Sequence, residues 1–169
     1  MTRTRLKICG LTREQDVDAA VAAGADAVGF VLYEKSARHV TPQRAAELAR
    51  RLPPFVTPVL LFVNATPKAV RTACELIPNA LLQFHGDETP AECEAAARPF
   101  LRAARIPLDP AQPFDLLAFT AGFHRAQAIL LDAHVEGFGG AGKAFDWSRI
   151  PTNVNAHLVL SGGLNAANV

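Results

Sequence analysis

"PVLLFVN", residues 58–64, is apolar along almost its whole length and ends on a turn-forming Asn. A strand with one wet face alternates apolar and polar residues, so a run without a polar face is covered on both sides. In a chain that alternates strands and helices, such cover means a parallel sheet beneath helices. Runs of the same kind recur as "RLKICG", "AVGFVLY", "LLQFHG", "FLRAARI", "AILLDA" and "HLVLSGG". They begin near residues 5, 27, 81, 100, 128 and 157, with the first-quoted run near 57, a spacing of about 25 residues. That interval accommodates a strand, a loop, a helix and a second loop. Seven β/α units are expected, wound either as an open doubly wound sheet or as a (β/α)₈ barrel lacking its last unit.

Capping chemistry marks where the helices start. Thr12 with Gln15 and Thr89 with Glu92 have capping-box spacing, and Pro42, Pro67 and Pro90 each follow a Thr, which suits the first helical position. Within residues 42–52, Ala45, Leu48, Ala49 and Leu52 form an apolar stripe beside Arg44, Glu47, Arg50 and Arg51.

The 169 residues, 50% of them hydrophobic, suit a single domain over residues 1–169. Seventeen basic and 16 acidic residues leave a net charge of +1, so no basic face nominates nucleic acid or a membrane as a partner. Three cysteines in no metal-ligand spacing fit a reducing compartment. "MTRTRLKICG" lacks the apolar run of a signal peptide and no stretch reaches transmembrane length, so a cytoplasmic location is expected.

In either architecture, reactive groups collect where strands pass into the following loops. The strand ends here are Cys9, Gln83 with His85, Arg105, Asp132 and Ser161-Gly162-Gly163. Alternation places Lys7 with Cys9, Gln83 with His85, Leu130 with Asp132 and Val159 with Ser161 on shared faces. Cys9 is either an exposed thiol that exchanges protons or a small buried hydrophobe, while Cys74 and Cys93 fall in helical stretches and read as buried apolar groups. Asp132 is either a cap or a general acid. His85 and Gln83 either bind substrate or bond a neighbouring group. Arg38 lies in a loop where a guanidinium suits a carboxylate or simply water. Paired glycines after a strand, followed by Asn165 as a helix cap, present bare amides to a phosphate.

"EGFGGAGKAF", residues 136–145, has the spacing of a nucleotide-binding loop in Gly137 and Gly142-Lys143. Ala144 stands where such a loop needs a hydroxyl for magnesium, and no long helix follows before Pro151. A substrate-covering lid is the better reading.

Taken together, "KICGLT", "SARHVT", "LLQFHG", "ILLD" with "GGAGKAFDW", and "LSGGLNAANV" resemble the phosphoribosylanthranilate isomerase family of tryptophan biosynthesis, from residue 5 to the end of the chain. The resemblance implies a (β/α)₈ TIM barrel and an Amadori rearrangement of a small phosphosugar substrate without metal or coenzyme, in a monomer or homodimer. It assigns Cys9 as general base and Asp132 as general acid. Arg38, Gln83, His85, Gly162 and Gly163 become the substrate-binding set, with Arg38 on the anthranilate carboxylate and the glycine pair on the phosphate. Members continue through an eighth strand and further helices, so the chain is expected to be a fragment of a longer reading frame. The rival expectation is an inactive or complementation-dependent phosphosugar-binding piece.

Overall fold

Each of the seven apolar runs becomes a strand, within two residues of its expected start. The computed structural model describes residues 3–134 and 142–168. The strands are β1 (Lys7–Cys9), β2 (Ala27–Val31), β3 (Thr57–Phe62), β4 (Leu81–Phe84), β5 (Phe100–Pro107), β6 (Ala128–His134) and β7 (Leu158–Leu160). Between them lie α1 (Glu14–Ala22), α2 (Pro42–Ala49), α3 (Pro67–Leu76), α4 (Pro90–Ala95) and α5 (Leu116–Gly122), with a short 3-10 turn at Trp147–Arg149 before β7.

The sheet runs β1-β2-β3-β4-β5-β6-β7, every neighbouring pair parallel. A doubly wound sheet reverses its strand order at a switch point, whereas an unbroken order with helices on one face is the winding of a barrel wall. The result is an α/β curled half-barrel of seven strands.

Period-two alternation sorts the side chains of each strand. Val28, Phe30, Leu60, Phe62, Leu82, Phe84, Ile129 and Leu131 point to the helices and join Val17, Leu48, Val70 and Cys93 in the main core. The residues between them face the concave side, where Val31, Leu61 and Val63 form a second, smaller cluster.

Local chemistry fixes most helix starts. The hydroxyls of Thr41, Thr66 and Thr89 accept the amides of Arg44, Ala69 and Glu92, each with Pro at the first turn, and Thr89 with Glu92 completes a capping box. Such a cap contributes about 1 kcal/mol. The box expected at Thr12 and Gln15 does not form. Arg13 is the N-cap of α1 and makes no side-chain cap bond. Ion pairs hold this helix start instead: Arg44 of α2 donates to the Thr12 carbonyl at 3.3 Å and to Glu14 at 2.7 and 2.8 Å, while Arg13 turns onto Asp16.

Two charged residues, Arg102 and Arg105, interrupt the apolar run of β5, and the first is buried. Arg102 points outward under α5, donates to the carbonyls of Phe84 and Gly86 at 3.0 Å each, and lies 4.9 and 5.7 Å from the ring centres of Phe123 and Phe119. Glu88 lies 3.5 Å away and accepts the amides of Asn64 and Gly86. Burial pulls the Arg102 guanidinium below its ordinary value, opposed by Glu88.

Removing one member of a buried ion pair leaves the other charge uncompensated, so Arg102→Met is expected to cost roughly 3–5 kcal/mol. Urea unfolding checks this, and a shift below about 1 kcal/mol would show that the pair carries little of the fold. Acid acts on a different link. Hydrogen bonding to Arg44 lowers the Glu14 carboxyl from its ordinary 4.5 to about 2. A lowered acid stabilises the fold above its unfolded value, and that contribution disappears as pH falls from 4.5 toward 2. Glu14→Gln is therefore expected to flatten this stretch of the acid-unfolding curve.

Candidate active site

The concave face collects polar side chains at the C-terminal ends of parallel strands, with their apolar neighbours turned to the helices. On one side of the rim, His85 Nε2 lies 3.1 Å from Asp132 Oδ2, and Gln83 Nε2 lies 2.9 Å from His85 Nδ1. A neutral imidazole has one donor and one acceptor nitrogen, so the His85 ring bridges the Gln83 carboxamide and the Asp132 carboxyl in a single chain. The Ala133 amide donates to Asp132 Oδ1 at 2.9 Å. Gln83, His85 and Asp132 are 1%, 4% and 7% exposed. Gly162 closes this corner, since a Cβ there would lie 2.5 Å from Asp132 Oδ1.

On the other side, β1 ends at Cys9, half-buried against Val31, Leu61, Val63 and Tyr33. Cys9 stands opposite Gly29 in the β1–β2 register, and a Cβ on Gly29 would lie 2.6 Å from Sγ. Glycine in the middle of β2 therefore makes the space the thiol occupies. Arg38 reaches back from the loop after β2, lies across Gly10 and donates from Nη1 to the Cys9 carbonyl at 2.9 Å. Arg38 is exposed, and a guanidinium carries further N–H donors beyond the one spent on Cys9. Cys74 and Cys93 are buried, and burial raises both thiols, Cys93 to about 12.

The expected residues thus gather in two groups: Cys9 with Arg38, and Gln83, His85, Asp132 and Gly162. Gln83, expected among the substrate-binding residues, is bonded through its amide to His85. Gly162 and Gly163 turn at φ 79° and 67° after β7, with the carboxamides of Asn165 and Asn168 donating to the Gly163 carbonyl. The helix expected to start at Asn165 is a turn, in which Asn165 accepts the Ala167 amide. Of the expected lid, residues 136–141 lie outside the described residues, and the described part meets the Gly162-Gly163 turn through Lys143 and Ala144. Among the described residues no group of three or more His, Cys, Asp or Glu is placed to hold a metal ion. No helix among them is long and apolar enough to cross a membrane.

The sequence reading missed Gly29, because its role depends on the β1–β2 register. It also missed the ion pair of Arg105 with Asp87, which joins β5 to the loop after β4. The motif "HGDE" carries that signal in hindsight, as an acidic pair just beyond a strand end.

Known proteins are similar throughout. The sequence model of a family described as N-(5'-phosphoribosyl)anthranilate isomerase matches residues 6–169. The enzyme of that name from Leptothrix cholodnii is 69% identical over 167 residues, covering 99% of this chain and 74% of the relative. The solved phosphoribosyl anthranilate isomerase of Thermotoga maritima superposes with a TM-score of 0.84 at 37% identity, covering 99% of this chain and 80% of that one. Another solved structure, of phosphoribosyl anthranilate isomerase with reduced 1-(o-carboxyphenylamino)-1-deoxyribulose 5-phosphate, superposes with a TM-score of 0.65 at 27% identity and covers 97% and 90%.

Thiol accessibility checks this geometry directly. Iodoacetamide is expected to alkylate Cys9 first, with Cys74 and Cys93 protected until the chain unfolds. Gly29→Ala should displace the Cys9 thiol and change its alkylation rate several-fold; an unchanged rate would mean the thiol is not seated against Gly29.

Proposed function

Because the chain belongs to the N-(5'-phosphoribosyl)anthranilate isomerase family, we propose that Cys9 and Asp132 are the base and acid of its reaction. The enzyme is an intramolecular isomerase of tryptophan biosynthesis, converting N-(5'-phosphoribosyl)anthranilate to 1-(2-carboxyphenylamino)-1-deoxyribulose 5-phosphate.

The observation that carries the assignment is that the thiol and the carboxyl stand on one concave face, at the C-terminal ends of β1 and β6. Asp132 gives its proton to the furanose ring oxygen, and the C1–O bond breaks to leave a Schiff base. Cys9, as thiolate, then takes the proton from C2, and its electron pair moves into the C1–C2 bond of an enolamine. Protonation at C1 and loss of the C2 hydroxyl proton complete the ketone. A positioned acid or base of this kind contributes roughly 10²–10⁴ in rate.

Binding groups flank this pair. Arg38 has one nitrogen fixed on the Cys9 carbonyl, and its other edge suits the anthranilate carboxylate in a two-bond clamp. The turn at Gly162 and Gly163 suits the phosphate, where bare backbone amides receive an anion. His85 binds through Asp132 by holding that carboxyl in place. We place the reaction in the cytoplasm, where free thiols such as these three persist.

Substrate fluorescence, which disappears on turnover, tests the roles. Cys9→Ala and Asp132→Asn are each expected to lower kcat by roughly 10² or more, whereas Arg38→Ala should act mainly by raising KM. Undiminished kcat in both Cys9→Ala and Asp132→Asn would overturn the acid–base assignment.

A further inference from the structure

We propose that Arg102 is a positioning residue for the reaction, holding His85, and through it Asp132, from the far face of the sheet. The proposal rests on the assignment of Asp132 as the acid. The Arg102 side chain leaves β5 on the helix side, under the rings of Phe119 and Phe123, and only 5% of the residue is exposed. A guanidinium there is unfavourable in itself: its Nε is buried with no hydrogen-bond partner among the described residues, and burial opposes its charge. Apolar side chains in place of both members of a buried ion pair are often as stable, so packing alone does not account for Arg102. Its bonds do.

β4 and β5 stay in register as far as Phe84 opposite Arg102, whereas β5 runs on to Pro107. Past that level the Arg102 side chain makes the connection, donating from Nη1 to the Phe84 carbonyl and from Nη2 to the Gly86 carbonyl at 3.0 Å each. These two residues flank His85, whose own amide donates to the Phe62 carbonyl of β3 at 2.9 Å. Glu88, 3.5 Å from Arg102, accepts the Gly86 amide at 2.9 Å, so the charge pair holds both backbone polar groups of Gly86. A Cβ on Gly86 would collide with the Asn64 carboxamide, which closes the remaining side. The backbone is therefore bonded at residues 84, 85 and 86 in turn. From the middle of this segment the His85 ring reaches Asp132, with Nε2 3.1 Å from Oδ2. Fixing the backbone fixes where that ring starts, and a misplacement of about 1 Å at a reacting group costs on the order of 10²-fold in rate.

Variants separate positioning from folding, with kcat read per folded molecule. Arg102→Lys keeps the charge but replaces the two-pronged fork by a single ammonium. Its kcat should fall by about tenfold while KM stays within about twofold, and the His85 ring signals in NMR should shift while those of His39 stay in place. In a His85→Ala background the same substitution should lower kcat no further, because the ring it positions is gone. Arg102→Met with Glu88→Gln removes both charges. It should unfold in urea at a midpoint nearer to wild type than Arg102→Met alone, yet with kcat still down on the order of 10²-fold. Wild-type kcat in folded Arg102→Lys would overturn the proposal, as would an equal loss of kcat in the His85→Ala background. If Arg102→Lys does not fold, the double variant decides, and unimpaired kcat there overturns it. Asp132→Asn keeps the two ideas distinct: turnover at the wild-type rate in that variant overturns the acid assignment, whereas its loss beside unimpaired Arg102 variants overturns only the role of Arg102.

Discussion

The position of Asp132, the proposed acid, depends on a guanidinium buried under the helices on the opposite face of the sheet. Arg102 of β5 bonds the carbonyls of Phe84 and Gly86, the residues on either side of His85, and so fixes the backbone that carries the imidazole. Glu88 completes the arrangement by accepting the Gly86 amide and the Asn64 amide from the loop after β3. Three successive strand ends are thereby tied to one buried charge pair. A charge so deeply buried is costly unless all its neighbours are paired, which makes this the most demanding contact in the fold. Its compensation is precision, because the distance from His85 to Asp132 inherits the rigidity of the clamp.

The winding of the sheet turns that local precision into a site. With strands in sequence order and all parallel, every C-terminal end lies on the same rim, and alternation sends every second side chain to the concave face. Phe84 and Leu131 go to the helices, so Gln83, His85 and Asp132 necessarily share the other side. Cys9 reaches the same face from β1 by the same rule.

This periodicity explains how much was legible in the sequence. Strand starts, the helix caps at Thr41, Thr66 and Thr89, and the shared face of Gln83 with His85 follow from spacing along one segment. Cys9, Arg38 and Asp132 were legible as candidates because polar endings on apolar strands stand out. What was not legible depends on register between segments. Gly29 has meaning only opposite Cys9, and Arg102 reads as a flaw in an apolar strand until the carbonyls of β4 lie beside it. The start of α1 likewise carries a contact from another helix, Arg44 on the Thr12 carbonyl, that spacing along the segment does not reveal.

The two reactive groups are placed by the same device. Each backs onto a glycine of the neighbouring segment, Cys9 onto Gly29 and Asp132 onto Gly162, where any Cβ would intrude to 2.6 and 2.5 Å. At these two positions the reactive side chain lies so close to the neighbouring backbone that only a residue without Cβ fits beside it. Removing the neighbour's side chain lets the thiol and the carboxyl lie flat against backbone, supported on one side and open on the other. The third strand has no such vacancy: Leu61, and Val63 just beyond its end, fill the floor between the two groups. An apolar floor with one ionisable group at each side keeps the proposed acid and base apart, so that each exchanges its proton with substrate rather than with the other.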